Sequence, residues 1–156
     1  LLGPLHGIEE TSMRDRFKEF SKEVVGRLSD ATTDNLLNKH ASDKCLITSG
    51  TLSFLVKEIS NELGIDDYFG TEAEVKEGSY TGKVFGHPNF SEEKVRRIKD
   101  WIGSQSFELI YAYSDSIHDL PLLEFSDCPI AVNPDDRLLE IAQSNGWNID
   151  ISRLKD

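Results

Sequence analysis

The sequence predicts an α/β fold: a parallel sheet with helices on both faces. Three observations carry this. Short apolar runs at 45–47, 107–113 and 129–132 have the length and composition of buried strands. The segments between them place apolar residues every three or four positions, the period of amphipathic helices. The first two runs end in short polar stretches, Thr48-Ser49-Gly50 and Ser114-Asp115-Ser116. Alternation of this kind gives parallel strands whose carboxyl ends carry the chemistry.

The elements follow in order. Met13, Phe17, Phe20, Val24 and Leu28 form one helical face, with Arg14, Asp15, Lys18, Glu19 and Lys22 as its solvated side. A second helix is predicted over 33–40. After the strand at 45–47 and a tight turn at 48–50, Leu52, Leu55, Val56, Ile59 and Leu63 predict a helix that Gly64 stops. Residues 68–86 read as a surface β-hairpin around Gly78. Ser91 reads as the N-cap of a helix with Val95, Ile98, Trp101 and Ile102 inward. A strand over 107–113, a short helix over 119–125 and a strand over 129–132 follow. Pro134 opens a helix carrying Leu138, Leu139 and Ile141, Gly146 closes it, and 147–151 is a last edge strand.

Composition bounds the function. The 156 residues suffice for one ordinary domain, and 38% hydrophobic with 29% charged residues is a globular balance. The net charge of −11 repels phosphodiester backbones, so no nucleic-acid partner is expected. A local cationic pocket for a small phosphorylated molecule remains compatible with it. No apolar run is long enough to span a bilayer, and no signal-peptide pattern opens the chain, so no membrane partner is expected. Cys45 and Cys128 read as small core residues of a protein in the reducing cytoplasm. The pattern carries no signal for oligomeric state. The sequence starts Leu1-Leu2-Gly3-Pro4, without Met, which reads as a chain from which something upstream is missing.

The candidate residues stand just after the strands. Ser49 and Gly50 offer a hydroxyl and a backbone N–H near a helix start, which suits a phosphoryl oxygen. The competing reading is a cap and turn. Lys94 falls in the first turn of its helix, where a cation opposes the helix dipole by about a few tenths of a kcal/mol. A nearby anion such as phosphate removes that mismatch; the alternative is a flexible surface lysine. Asp115 and Asp119, four apart, are hard-oxygen groups suited to Mg²⁺, or else a cap and a solvated carboxylate. His118 reads as a supporting or surface residue. Asn133-Pro134-Asp135-Asp136 reads as helix punctuation, and His87-Pro88-Asn89 as a loop that is a weak candidate to face substrate.

Four segments together resemble the haloacid dehalogenase (HAD) superfamily, in its phosphoserine-phosphatase-like subgroup with a helical cap. Leu46-Ile47-Thr48-Ser49-Gly50 is similar to the second motif and Phe90-Ser91-Glu92-Glu93-Lys94-Val95 to the third. Tyr113-Ser114-Asp115-Ser116-Ile117-His118-Asp119-Leu120-Pro121-Leu122-Leu123 is similar to the fourth. Ala131-Val132-Asn133-Pro134-Asp135, with Gly146-Trp147 beyond, resembles the subgroup's ending. The resemblance implies a HAD-like Rossmannoid core over 28–156 and the remainder of a helical cap over 1–27. It also implies a Mg²⁺-dependent phosphomonoesterase working through an aspartyl-phosphate on a small phosphorylated metabolite. Ser49 and Gly50 would bind phosphoryl oxygens, Lys94 would offset negative charge, and Asp115 would ligate Mg²⁺. Asp119 would orient groups around the metal.

Three departures stand out. Ser114 replaces a usual Gly, and His118 a common Asn. The larger one is the first motif, an apolar strand running into Asp-x-Asp-x-Thr that supplies the nucleophile. No such segment occurs, since Asp15 lies in a helical pattern and Glu9 and Glu10 are no better placed. Either a segment upstream is missing, or the chain is a non-catalytic relative that binds phosphate, Mg²⁺ or a partner; a chain starting at Met13 lacks the motif too. A different phosphate or nucleotide binder has no Gly-x-Gly-x-x-Gly or Gly-x-x-x-x-Gly-Lys-Ser/Thr loop to support it.

Overall fold

A computed structural model describes residues 2–28 and 31–151. The chain divides into two compact units, Leu1–Asn89 and Phe90–Asp156. Both are built on parallel strand pairs, so the α/β class holds.

The first unit runs α1 (Arg14–Leu28), α2 (Ala31–Lys39), β1 (Leu46–Leu52), α3 (Ser53–Leu63), β2 (Asp67–Thr71), β3 (Ala73–Lys76) and β4 (Ser79–Val84). Strands β1 and β2 are parallel, with α3 as their crossover, and the register breaks between Thr48 and Leu52. Val56 of α3 is buried, and Gly64 ends the helix in the left-handed conformation. Phe17 of α1 stacks on Phe54 of α3 at 4.2 Å, and Phe54 meets Tyr80 of β4 at 5.5 Å. The face that α1 buries differs by one position from the predicted stripe. Phe20 is 49% exposed, while the neighbouring Ser21 is 1% exposed, its hydroxyl donating to the Lys18 carbonyl. The side chain of Leu28 lies outside the described residues.

Residues 68–86 are more than a hairpin. Asp67–Thr71 is a parallel strand beside β1, and the antiparallel hairpin β3–β4 follows it. Gly70 hides that strand from a propensity reading, because Gly is depleted in strands. Backbone proximity demands it: a Cβ there would lie 2.5 Å from Ser53 Cα. The hairpin turns on Glu77 and Gly78, both at positive φ, as a two-residue loop between Lys76 and Ser79 requires. The segment before α1 joins the other edge of β4, with Gly7 N–H on the Tyr80 carbonyl and Tyr80 N–H on that of Ile8.

The second unit runs α4 (Glu92–Ile102), β5 (Tyr111–Ser114), α5 (Leu120–Phe125), β6 (Cys128–Val132), α6 (Asp136–Asn145) and β7 (Asn148–Asp150). The three strands are parallel and adjacent in chain order. Val95, Ile98, Ala112, Leu122, Leu123, Ile130, Ala131, Leu138 and Ala142 are its buried apolar residues.

Four local readings change here. Strand β5 starts at Tyr111 rather than Phe107, and Leu109 and Tyr111 are exposed. Ile110 is diverted: its N–H goes to the Asp127 carboxylate and its carbonyl takes the N–H groups of Asp127 and Cys128. Ser91 occupies the position before α4 but at φ +50, and its hydroxyl caps nothing. Helix α6 begins at Asp136, capped by the Asp135 carboxylate, with Pro134 just ahead. Cys45 and Cys128 are free thiols but half-buried, not core. Among the described residues, no helix is long and apolar enough to cross a membrane.

Leu123 is fully buried and Phe85 is 66% exposed. Urea denaturation of Leu123→Ala is expected to show a loss of about 2–5 kcal/mol. Phe85→Ala is expected to stay within about 0.5 kcal/mol of the parent.

Candidate active site

In the first unit, the carboxyl end of β1 is fixed by buried polar groups. Ser49 is half-buried, and Gly50 and Thr51 are exposed. The Ser49 hydroxyl accepts the Thr51 N–H at 3.1 Å. The strand does not end in a turn at 48–50 as the sequence suggested: β1 runs on to Leu52, Ser49 lies inside it, and helix α3 has Leu52 before it and no side-chain cap, so Ser49 caps no helix. Behind this stretch lies Asn89, 0% exposed. Its amide nitrogen donates to the Ser49 carbonyl at 2.9 Å, to Thr48 Oγ1 at 3.0 Å and to the Phe69 carbonyl at 3.2 Å. Its backbone N–H reaches Thr71 Oγ1 at 3.0 Å, and that hydroxyl donates to the Gly50 carbonyl at 2.8 Å.

In the second unit, Lys94 stands in the first turn of α4 and is 5% exposed. Its ammonium lies 2.6 Å from Asp119 Oδ1. Asp119 Oδ2 accepts the Ser114 hydroxyl at 2.8 Å. The anion that answers the mismatch between a lysine and the positive end of a helix is therefore this carboxylate. An ammonium carries three donors, and Asp119 is its one hydrogen-bond partner among the described residues. Next to Lys94, hydrogen bonds from Arg96 and Arg97 hold the Glu93 carboxyl down at about 2.

The loop after β5 is tied from two sides. The Asp135 N–H donates to the Asp115 carbonyl at 2.8 Å, and Asp135 Oδ2 accepts the Ile117 N–H at 2.7 Å. The other Asp135 oxygen caps α6 through the Leu138 N–H. Those backbone donors, Ile117 first and Leu138 second, hold the Asp135 carboxyl below its ordinary value. The Asp115 side chain is exposed and makes no hydrogen bond or ion pair among the described residues. A free carboxylate at a strand end fits Mg²⁺, which takes one or two carboxylates and keeps several waters. No cluster of three or more His, Cys, Asp or Glu side chains among the described residues forms a cage of its own. His118 is exposed, with its ring 4.9 Å from that of Phe90.

Ser49 and Gly50 thus belong to the first unit, and Lys94, Asp115 and Asp119 to the second. The structure joins Lys94 to Asp119 and keeps Asp115 apart from that pair's hydrogen bonds. Lys94 is no flexible surface lysine. Asp119 is engaged by Lys94 and Ser114, and no Asp115–Asp119 hydrogen bond forms. Ser114, which stands where the family usually has Gly, contributes a hydroxyl to this arrangement. Sequence reasoning overlooked Thr71 and took Asp135 for simple punctuation. Asn89 carried one signal, its place in the loop before Lys94.

The haloacid dehalogenase-like hydrolase family profile matches residues 5–124. A histidinol-phosphatase of Neisseria meningitidis is 33% identical over 95% of this chain, which spans 70% of that protein. Phosphoserine phosphatase SerB1 of Mycobacterium tuberculosis is 28% identical over 81% of this chain, which spans 42% of it. Among solved structures, a Bordetella pertussis protein of unknown function superposes with TM-score 0.85 at 34% identity, covering 99% of this chain and 71% of that one. A phospho-aspartyl intermediate analogue of phosphoserine phosphatase gives TM-score 0.64 at 19% identity, covering 97% of this chain and 69% of that one, a likeness of fold alone.

Two outcomes are expected from the geometry. Removing one partner of a buried ion pair strands the other charge, so Lys94→Ala should lose about 3–5 kcal/mol in urea denaturation. A loss under about 1 kcal/mol would contradict the pairing. The Asp135 hydrogen bonds contribute above its ordinary value of 3.8 and disappear as the pH falls through its lower folded value. The amide proton shifts of Ile117 and Leu138 should therefore change together with a midpoint below 3.8, and Asp135→Asn should abolish that step. By the extent of its profile match and by its fold, the chain belongs to the haloacid dehalogenase-like hydrolase family.

Proposed function

We propose that the protein is a Mg²⁺-dependent phosphomonoester phosphatase acting on a small phosphorylated metabolite. The observation that carries this reading is Lys94: a buried ammonium, held by one carboxylate, with two donors left over among the described residues. A buried charge is costly to keep, and spare donors on it suit an anionic ligand. On this reading the Lys94 ammonium binds a phosphoryl oxygen and offsets its negative charge. Asp119 aims Lys94, and Ser114 steadies Asp119. The Ser49 hydroxyl and Gly50 N–H bind phosphoryl oxygens, and Asp115 offers its carboxylate to Mg²⁺. When bound, Mg²⁺ neutralises charge on the phosphoryl group and helps orient it.

Family members attack phosphorus with an Asp. These 156 residues contain no Asp-x-Asp-x-Thr, and Asp15 lies inside α1. We therefore propose that the chain binds substrate but lacks turnover by itself, the nucleophile coming from sequence outside it and residues 1–27 forming part of a cap. The relatives' names make histidinol phosphate and phosphoserine the first substrates to try. Two free thiols suit a cytoplasmic setting. The missing motif also favours a second reading, a non-catalytic domain that holds phosphate or Mg²⁺.

Phosphate release from p-nitrophenyl phosphate, histidinol phosphate and phosphoserine tests this on the natural protein. Turnover that chelation abolishes is expected, with Asp115→Asn lowering it by at least about 100-fold. Turnover insensitive to both would sink the metal assignment. No turnover by a protein whose mass equals this chain would leave the binding-domain reading in its place.

A further inference from the structure

We infer that Asn89 and Thr71 are positioning residues that aim the Gly50 N–H and the Ser49 hydroxyl toward a phosphoryl oxygen; this rests on the phosphate-binding role proposed for Ser49 and Gly50.

Peptide planarity supplies the first step. The bonds here are trans, so a carbonyl and the N–H of the following residue point in opposite directions. Asn89 takes the Ser49 carbonyl. The Gly50 N–H is thereby turned to the side opposite the buried Asn89. Thr71 takes the Gly50 carbonyl, which turns the Thr51 N–H the same way. That N–H lands on Ser49 Oγ at 3.1 Å. A serine hydroxyl has one hydrogen to donate and lone pairs to accept with. With Thr51 on a lone pair, its hydrogen is left for another acceptor. The register break between Thr48 and Leu52 releases this stretch from regular pairing with β2.

The rigidity comes from burial. Thr71 is 6% and Asn89 0% exposed, while Gly50 and Thr51 are exposed. The Asn89 amide cannot be turned over, because its oxygen would then face the Ser49 and Phe69 carbonyls, which only accept. Its Oδ1 is buried without a partner among the described residues. A buried acceptor left unpaired is destabilising. That arrangement is kept so the nitrogen can hold two carbonyls at once. Thr71 Oγ1 works in both directions, donating to the Gly50 carbonyl and accepting from the Asn89 N–H. Valine there would match its shape and do neither, whereas serine would do both.

The test is titration with inorganic phosphate, followed by the Gly50 amide signal in ¹⁵N-labelled protein. In the parent protein that proton should move downfield as phosphate binds. Thr71→Val should weaken phosphate binding by about tenfold or more and shrink the Gly50 shift, and Thr71→Ser should restore both. Asn89→Asp, which keeps the shape but cannot donate to the two carbonyls, should weaken binding likewise and decides the matter if Thr71→Val does not fold. Parent-like affinity and Gly50 shift in Thr71→Val, or in Asn89→Asp if it must stand in, would overturn the positioning role and leave the phosphate site standing. A Gly50 signal unmoved by phosphate in the parent would overturn the site and this inference together.

Discussion

A lysine ammonium removed from water must meet a carboxylate, and in the second unit that requirement organises the surroundings. Lys94 is placed by the first turn of α4, whose Val95 and Ile98 pack inward. Asp119 is delivered by the turn after β5, and Ser114, the last residue of that strand, grips its second oxygen. Holding both partners on rigid elements limits the entropy lost in forming the pair. It also leaves the ammonium's remaining donors in a fixed direction. Pairing of this kind is a poor device for stability, since apolar residues would pack as well.

The first unit works on a similar division. Buried groups there, Asn89 and Thr71, make bonds so that half-buried Ser49 and exposed Gly50 keep one conformation. Asp135 does the same for the loop carrying Asp115, holding the Asp115 carbonyl and the Ile117 N–H beside an exposed carboxylate. On the proposed reading the groups offered to a ligand are short and exposed or half-buried, and the group that fixes each is buried or tied to a helix start. Such preorganisation lowers the cost of ordering when a ligand arrives.

The architecture was legible because parallel strands and amphipathic helices have distinct periods. The stripe through Val95 and Ile98 and the stop at Gly64 are direct consequences of side-chain spacing and backbone freedom. Strand β2 was not legible, because Gly70 answers to the backbone of Ser53, a contact between residues far apart in sequence. Phe20 was misassigned to the buried stripe, since apolarity does not show which neighbour a helix packs against. Ser49 falls inside β1, which runs on to Leu52, whereas the positions of Lys94 at a helix start and of Asp115 and Asp119 beyond a strand were readable from the chain. Their partners were not: Asn89 and Asp135 act through main-chain groups, which no side-chain pattern records.

The direct test of the central claim is the Lys94 side-chain signal in protein labelled with ¹⁵N-lysine, followed through a phosphate titration. A buried, carboxylate-held ammonium should give a slowly exchanging resonance that Lys94→Ala removes and that shifts as phosphate saturates the protein. A Lys94 resonance that exchanges like a surface lysine, or that ignores saturating phosphate, would contradict the account.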